Sequence, residues 1–366
     1  MYWLAVAILC LLAALAIFLG ERLRRRREEA QAYLKGVRSM ISDDSDAAIE
    51  ALSDAARLGS PEAVETYLAL GALFRRTGEL PRAIRLHRNM LLRPGLDPGR
   101  RAEVERELAD DYRRSGMLRE AAEAYRPLAE GGDRPAAEGL RDVLVDLGDL
   151  EGAVAVQRRL RPAGEDRLLA HLLARLARAR LAADPQAARG AALAAAEASP
   201  GCADGLLALA EAEAARGDRA AALGAVERAL DAEPATALLA WPALERLGDP
   251  AAAERLVTAR LGRAPGDAAL HLLRGRLLRA QGRSAEALGP LGRALELDQA
   301  GEVTLAMRDL LKEAGAPGPE ELSARHDLMV AALSRQVRSL RCRHCGAGAA
   351  ARAWRCPRCG AFEAYP

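Results

Sequence analysis

Apolar positions follow two different patterns along this chain. From Tyr2 to Gly20 they run without a charged side chain, and Glu21, Arg22 and Arg24 to Arg27 follow. A helix of that length spans roughly 28 Å, close to the thickness of a bilayer core. The pattern predicts a membrane-spanning helix over 1–20 and a basic juxtamembrane segment over 21–30. The arginines follow the apolar run instead of preceding it, which is not the layout of a cleaved signal peptide. By the positive-inside rule the N-terminus lies outside and the chain from Arg22 onward lies in the cytoplasm. Over 31–336 the pattern changes to helical periodicity interrupted by small residues.

That second pattern repeats at about 34 residues. Tyr67, Leu70, Gly71, Phe74, Gly78 and Ala83 set the frame, with small residues where two helices of a hairpin approach and large ones filling the gap beside them. Leu108, Tyr112, Gly116, Ala121 and Tyr125 return it, as do Leu140, Leu144, Gly148 and Ala153. A fainter copy surrounds Ala188, Ala192 and Pro200. Later copies run through Leu209, Gly217, Ala222, Ala229 and Pro234, then Gly248, Ala253 and Pro265, then Gly275, Leu278, Gly282, Ala287 and Ala294. An early copy spans Tyr33 to Ala55, and Gly315 closes the series. This is the tetratricopeptide pattern, with glycine at the turn between helices and proline ending the second helix. It predicts an all-α solenoid of roughly eight or nine hairpins, each burying its apolar face on its neighbours. Gly78, Gly116, Gly217 and Gly282 are expected to be structural.

Composition agrees with helices in close contact: the chain has only three Phe, six Tyr and three Trp, which favours small-residue packing over a bulky sheet. With 53 basic and 51 acidic residues there is no strong overall field and no general bias toward nucleic acid.

The C-terminal segment, 337–366, carries the candidate chemistry. Cys342 and Cys345, then Cys356 and Cys359, form two C-x2-C knuckles, each followed by a glycine, Gly346 and Gly360. Four thiolates complete a tetrahedron with no open position, so the site is structural and does not activate water. This predicts a small rubredoxin-like or zinc-ribbon module holding one ion, iron or zinc. The alternative, two disulfides, requires an oxidising compartment, which a cytoplasmic location denies. His344, inside the first knuckle, is expected to be an exposed bystander. Between Arg335 and Phe362 there are seven arginines and no acid. They either offset the charge of the thiolates or present a basic patch, and with only Trp354 and Phe362 nearby the patch favours protein or domain docking over base stacking.

No Gly-rich phosphate loop, nucleophile elbow or H-E-x-x-H motif occurs in the middle of the chain, so no enzymatic activity is predicted. His87, His171, His271 and His326 are expected on exposed or half-buried helix faces. Asp110 and Asp111 are expected on a solvated face, Cys202 as an inert thiol, and Cys10 as a small residue facing lipid.

The whole layout resembles lipopolysaccharide assembly protein B of Gram-negative bacteria. The resemblance is most specific from Leu70 to His87, at Tyr33-Leu34-Lys35-Gly36, and in the two stretches Arg341 to Gly346 and Trp354 to Cys359. The central repeats diverge from that family. What the resemblance implies is an adaptor at the inner membrane, working beside the protease FtsH to promote degradation of the deacetylase LpxC and gathering other lipopolysaccharide-synthesis proteins. It also implies that Cys342, Cys345, Cys356 and Cys359 bind the metal and that their module docks back on the repeats. The membrane helix could add contacts between subunits in a homo-oligomer. Two other readings stand beside this one: a generic membrane-tethered scaffold for another envelope or secretion complex, and a nucleic-acid-binding zinc ribbon on a repeat scaffold.

Overall fold

The computed structural model describes residues 64–92, 96–297, 340–349 and 353–365, with isolated positions between 15 and 35 and at 306 and 309. The predicted span over 1–20, the early repeat copy from Tyr33 to Ala55, Gly315 and His326 fall largely or wholly outside these residues. Residues 17–24 are helical, and among the described residues no helix is long and apolar enough to cross a membrane.

Among the described residues from Val64 to Leu297 there are fourteen α-helices, and the chain divides into two compact units at Asp149 and Leu150. The first unit contains α1 (Val64–Thr77), α2 (Leu80–Leu91), α3 (Pro98–Arg114), α4 (Leu118–Glu130) and α5 (Arg134–Leu147), each packed on the next. The second contains α6 (Leu150–Leu160), α7 (Arg167–Arg180), α8 (Pro185–Ala198), α9 (Ala203–Ala215) and α10 (Arg219–Ala232). It continues through a 3-10 segment (Pro234–Ala240), α11 (Trp241–Arg246), α12 (Pro250–Arg263), α13 (Ala268–Ala280) and α14 (Ser284–Leu297). The tail adds a two-stranded antiparallel ribbon of β1 (Leu340–Arg341) and β2 (Gly348–Ala349).

The helices begin where aspartate supplies a cap. Asp97, Asp133, Asp166, Asp184, Asp218, Asp249 and Asp267 each accept hydrogen bonds from the free N–H groups of the first turn, satisfying donors that have no partner inside the helix. After Asp97, Asp184 and Asp249 the next residue is proline, which has no N–H to satisfy and a φ already suited to a first turn. The hairpins turn where glycine permits it: Gly78, Gly116, Gly217 and Gly282 all have φ between 73° and 84°, as their structural role requires.

Gly217 sits at φ 84 and donates its N–H to the carbonyl of Ala214, closing α9 before Asp218 caps α10. A β-branched side chain in that conformation costs roughly 1–3 kcal/mol. Gly217→Val is therefore expected to lower the thermal midpoint followed by circular dichroism, and an unchanged melting curve would count against this register.

Gly71 has the other duty of a small residue, close approach. It lies on α1 against the imidazole of His87 on α2, and a Cβ built there would collide with the ring. The fainter hairpin, α7 with α8, turns through Leu181 to Asp184 without a glycine. In the hairpin around Gly248 the first helix is cut to a 3-10 segment and the six residues of α11, where Pro234 and Pro242 remove donors that a regular helix would need.

In the second unit α9 is enclosed by α7, α8, α10 and α11, so every residue from Ala203 to Glu213 is buried. Its acids are not stranded. Arg178 on α7 donates to Asp204 at 2.6 Å and to Glu211 at 2.8 Å, and Arg189 on α8 donates to Glu213 at 2.6 Å.

Candidate metal centre and its dock on the repeats

Each C-x2-C knuckle is a backbone turn built the same way. In the first, the N–H of Cys342 donates to the carbonyl of Ala347 and the N–H of Gly346 donates back to Cys342, both at 2.9 Å. In the second, Cys356 donates to Ala361 at 2.8 Å and Gly360 to Cys356 at 2.9 Å. Gly346 and Gly360 take φ of 68° and 74°, so the chain doubles back and both sulfurs of a knuckle face the same way. The β1–β2 ribbon pairs Leu340 with Ala349 and Arg341 with Gly348 around the first knuckle, and Arg355 bridges to Phe362 around the second.

The four sulfurs converge within 4.8 Å of one another. Cys342 and Cys359 are 3.6 Å apart, and Cys345 and Cys356 are 3.8 Å apart. A tetrahedron with metal–sulfur bonds of about 2.3 Å has edges of about 3.8 Å. The cluster is thus open to the width of an ion, its thiols are free, and its chemistry suits a metal ion. The orphaned hydroxyl of Tyr365, buried in the same cluster, has no oxygen or nitrogen partner, as expected beside a thiolate site. His344 is exposed, in keeping with the bystander role.

The tail seats itself on the repeats through a residue expected to be half-exposed. His171, on α7, is 1% exposed, and its ring lies 5.2 Å from that of Phe362 and 5.6 Å from that of Trp354. Its Nδ1 is 2.7 Å from Asp204 on α9, and its Nε2 is 2.7 Å from Glu363 in the tail. Burial opposes protonation of this ring, yet the hydrogen bond to Asp204 and the adjoining Cys202 thiol carry its pKa up to about 10. Glu363 is also paired with Arg167, which reaches Glu233 at 2.6 Å with its other nitrogen. Against the cost of burial, His171 and Arg167 hold the Glu363 carboxyl below its usual range. Trp354 and Phe362 are thus committed to the dock. Arg355 lies over the Phe362 ring and donates to Gly360 at 2.8 Å, whereas Arg341, Arg343 and Arg358 stay exposed.

Three expectations change in consequence. His87 is fully buried, with Nδ1 2.6 Å from Asp111. Asp111 is buried too, paired with Arg75 at 3.0 Å, while its neighbour Asp110 accepts from the Tyr125 hydroxyl. The pair is not a solvated face, because helix packing on both sides encloses the carboxylates and supplies each with a donor. His171 belongs to the dock, whereas His271 is half-buried as expected. Glu363, which anchors the dock, went unread even though it is the one acid between Arg335 and Pro366.

The tetratricopeptide repeat family matches residues 42–98 and 241–302. The chain is similar to lipopolysaccharide assembly protein B of Escherichia coli strain K12, at 27% identity over 183 residues, 47% of this chain and 47% of that protein. The same figures hold for the proteins of strains CFT073 and O157:H7. The chain thus spans about half the length of the curated relatives it matches. Among solved structures, yeast Tom70 aligns with 84% of this chain and 78% of its own at 12% identity and a TM-score of 0.44. A repeat-containing protein of Cytophaga hutchinsonii aligns with 73% of this chain and 95% of its own at 12% identity and a TM-score of 0.45.

Proposed function

We propose that this chain is an adaptor of the inner membrane that regulates lipopolysaccharide synthesis by bringing the LpxC deacetylase to the FtsH protease. The observation that carries this reading is the similarity of the repeat-bearing chain to lipopolysaccharide assembly protein B over 183 residues. The physics suits the role. An apolar anchor over 1–20 confines the repeats to two dimensions and raises their effective concentration beside a membrane protease. Stacked helical hairpins offer a long surface for a client. Within this reading Cys342, Cys345, Cys356 and Cys359 hold one iron or zinc ion, which supplies structure and no open coordination position. The role is binding, not catalysis, and the bulk of the chain faces the cytoplasm.

The test is the half-life of LpxC in the native host with and without this protein, read by immunoblot after synthesis is blocked. Depletion is expected to lengthen the half-life. An unchanged half-life would transfer the chain to the second reading, a membrane-tethered scaffold for another envelope complex. The nucleic-acid reading is disfavoured by Trp354 and Phe362, whose rings pack on His171 and are not free to stack on bases.

A further inference from the structure

A second group of ligating atoms lies apart from the four cysteines. The Nε2 of His171, the Sγ of Cys202 and a carboxylate oxygen of Glu363 lie within 4.8 Å of one another. Cys202 is fully buried at the N-cap of α9, placed by the turn in which its N–H donates to Ser199 at 3.0 Å. His171 comes from α7. Glu363 comes from the tail, and its φ of 50° makes it the one non-glycine residue in the left-handed region among the described residues. Strain of that kind persists where surrounding contacts hold it, and it is concentrated at binding sites.

The hydrogen bond from Nδ1 to Asp204 at 2.7 Å decides what Nε2 can do. With the Nδ1 proton committed to Asp204, a ring that gives up its Nε2 proton turns that lone pair toward Cys202 at 3.9 Å and Glu363 at 2.7 Å. A lone pair and a carboxylate oxygen cannot meet at that distance unless a proton or a cation lies between them. A carboxylate holding the far nitrogen of a histidine is also the arrangement that orients metal-binding imidazoles. The donor set of imidazole, thiolate and carboxylate suits zinc. Charge closes as well: a thiolate and a carboxylate balance a divalent ion, while Asp204 is already paired with Arg178, and Glu233 with Arg167. The competing feature is Arg167, which also contacts Glu363.

We infer that His171, Cys202 and Glu363 form a second divalent-cation site of the zinc type, separate from the four-cysteine centre, which clips the tail to the repeats. Two ligands belong to the helices and one to the tail, so loading the site ties the two together. Binding displaces the protons of the thiol and of Nε2, and the solvent-facing side, where Glu363 is 40% exposed, leaves room for a water as the fourth ligand.

The test is the zinc content of the full chain, purified in detergent, loaded with zinc, dialysed and measured by inductively coupled plasma mass spectrometry. The expected result is two ions per wild-type chain and one in His171→Gln and in Cys202→Ser. Glu363→Gln changes an exposed side chain and spares the helices; it is expected to weaken the second ion at least tenfold in a competition titration while the first is unaffected. One ion in the wild-type chain would overturn the proposal and leave the contact as an imidazolium held between Asp204 and Glu363. Two ions retained in Cys202→Ser would overturn it equally.

Discussion

Asp111→Ala is expected to destabilise the first unit by about 3–5 kcal/mol, more than any other single change to its polar groups. The carboxylate ties three helices together: it sits on α3, meets His87 of α2 at 2.6 Å and meets Arg75 of α1 at 3.0 Å. Removing it strands His87, which is fully buried and whose Nε2 already has no partner where the ring lies against Gly71. It also leaves Arg75, whose side chain is 14% exposed, with Glu107 as its remaining carboxylate partner. A buried ion pair is weak evidence of net stabilisation, but breaking one leaves an uncompensated polar group, and that asymmetry sets the size of the effect. For a unit of this size the loss corresponds to a fall of more than about 10 °C in the unfolding midpoint. Differential scanning calorimetry would show it, and hydrogen exchange would confine it to residues 64–149. Asp110→Ala, on the half-buried neighbour, is expected to cost much less, and equal losses for the two variants would refute the distinction.

The two aspartates show how far the sequence could be read. Periodicity and the glycine spacing predict hairpins because the turn conformation and the close approach of helices restrict the residue types directly. Gly78, Gly116, Gly217 and Gly282 stand at positive φ, and Gly71 stands where His87 needs room. The α7–α8 hairpin was faint for the same reason, since its turn uses Leu181 to Asp184 and presents no glycine. The convergence of the four cysteines was legible because two C-x2-C knuckles fix residue type and local spacing together. The dock was not. His171, Asp204 and Glu363 are far apart in sequence, and each alone looks like a residue for a solvated surface. Only the packing of α7 on α9, and of the tail on α7, gives them a shared environment. The absence of other acids in the tail singles out Glu363 as the residue able to pair with a basic group, and that was the available signal.

Cys356→Ser is expected to have the largest functional effect. Three remaining thiolates cannot close the tetrahedron, and in small metal modules the binding of zinc supplies roughly 10–16 kcal/mol, nearly all of the folding free energy. The tail has little else to hold it: its ribbon is two residues long on each strand, and its core consists of Cys342, Cys356, Ala364 and Tyr365 with smaller neighbours. The substitution also falls in the knuckle that positions Trp354, Phe362 and Glu363, through the bond from Cys356 to Ala361 and the bond from Glu363 to Trp354 at 2.8 Å. Loss of the ion should therefore release the contacts with His171 as well. The expected outcome is loss of the ion of the four-cysteine centre and, because Glu363 leaves with the tail, a weakened hold on the second ion, rapid hydrogen exchange over 340–365, retained protection in α9 and α10, and an LpxC half-life as long as in cells lacking the protein. Retained protection in α9 and α10 distinguishes a detached tail from a globally unfolded chain. A variant that keeps full activity without the ion would show the module to be dispensable, and the adaptor function would then reside in the repeats alone.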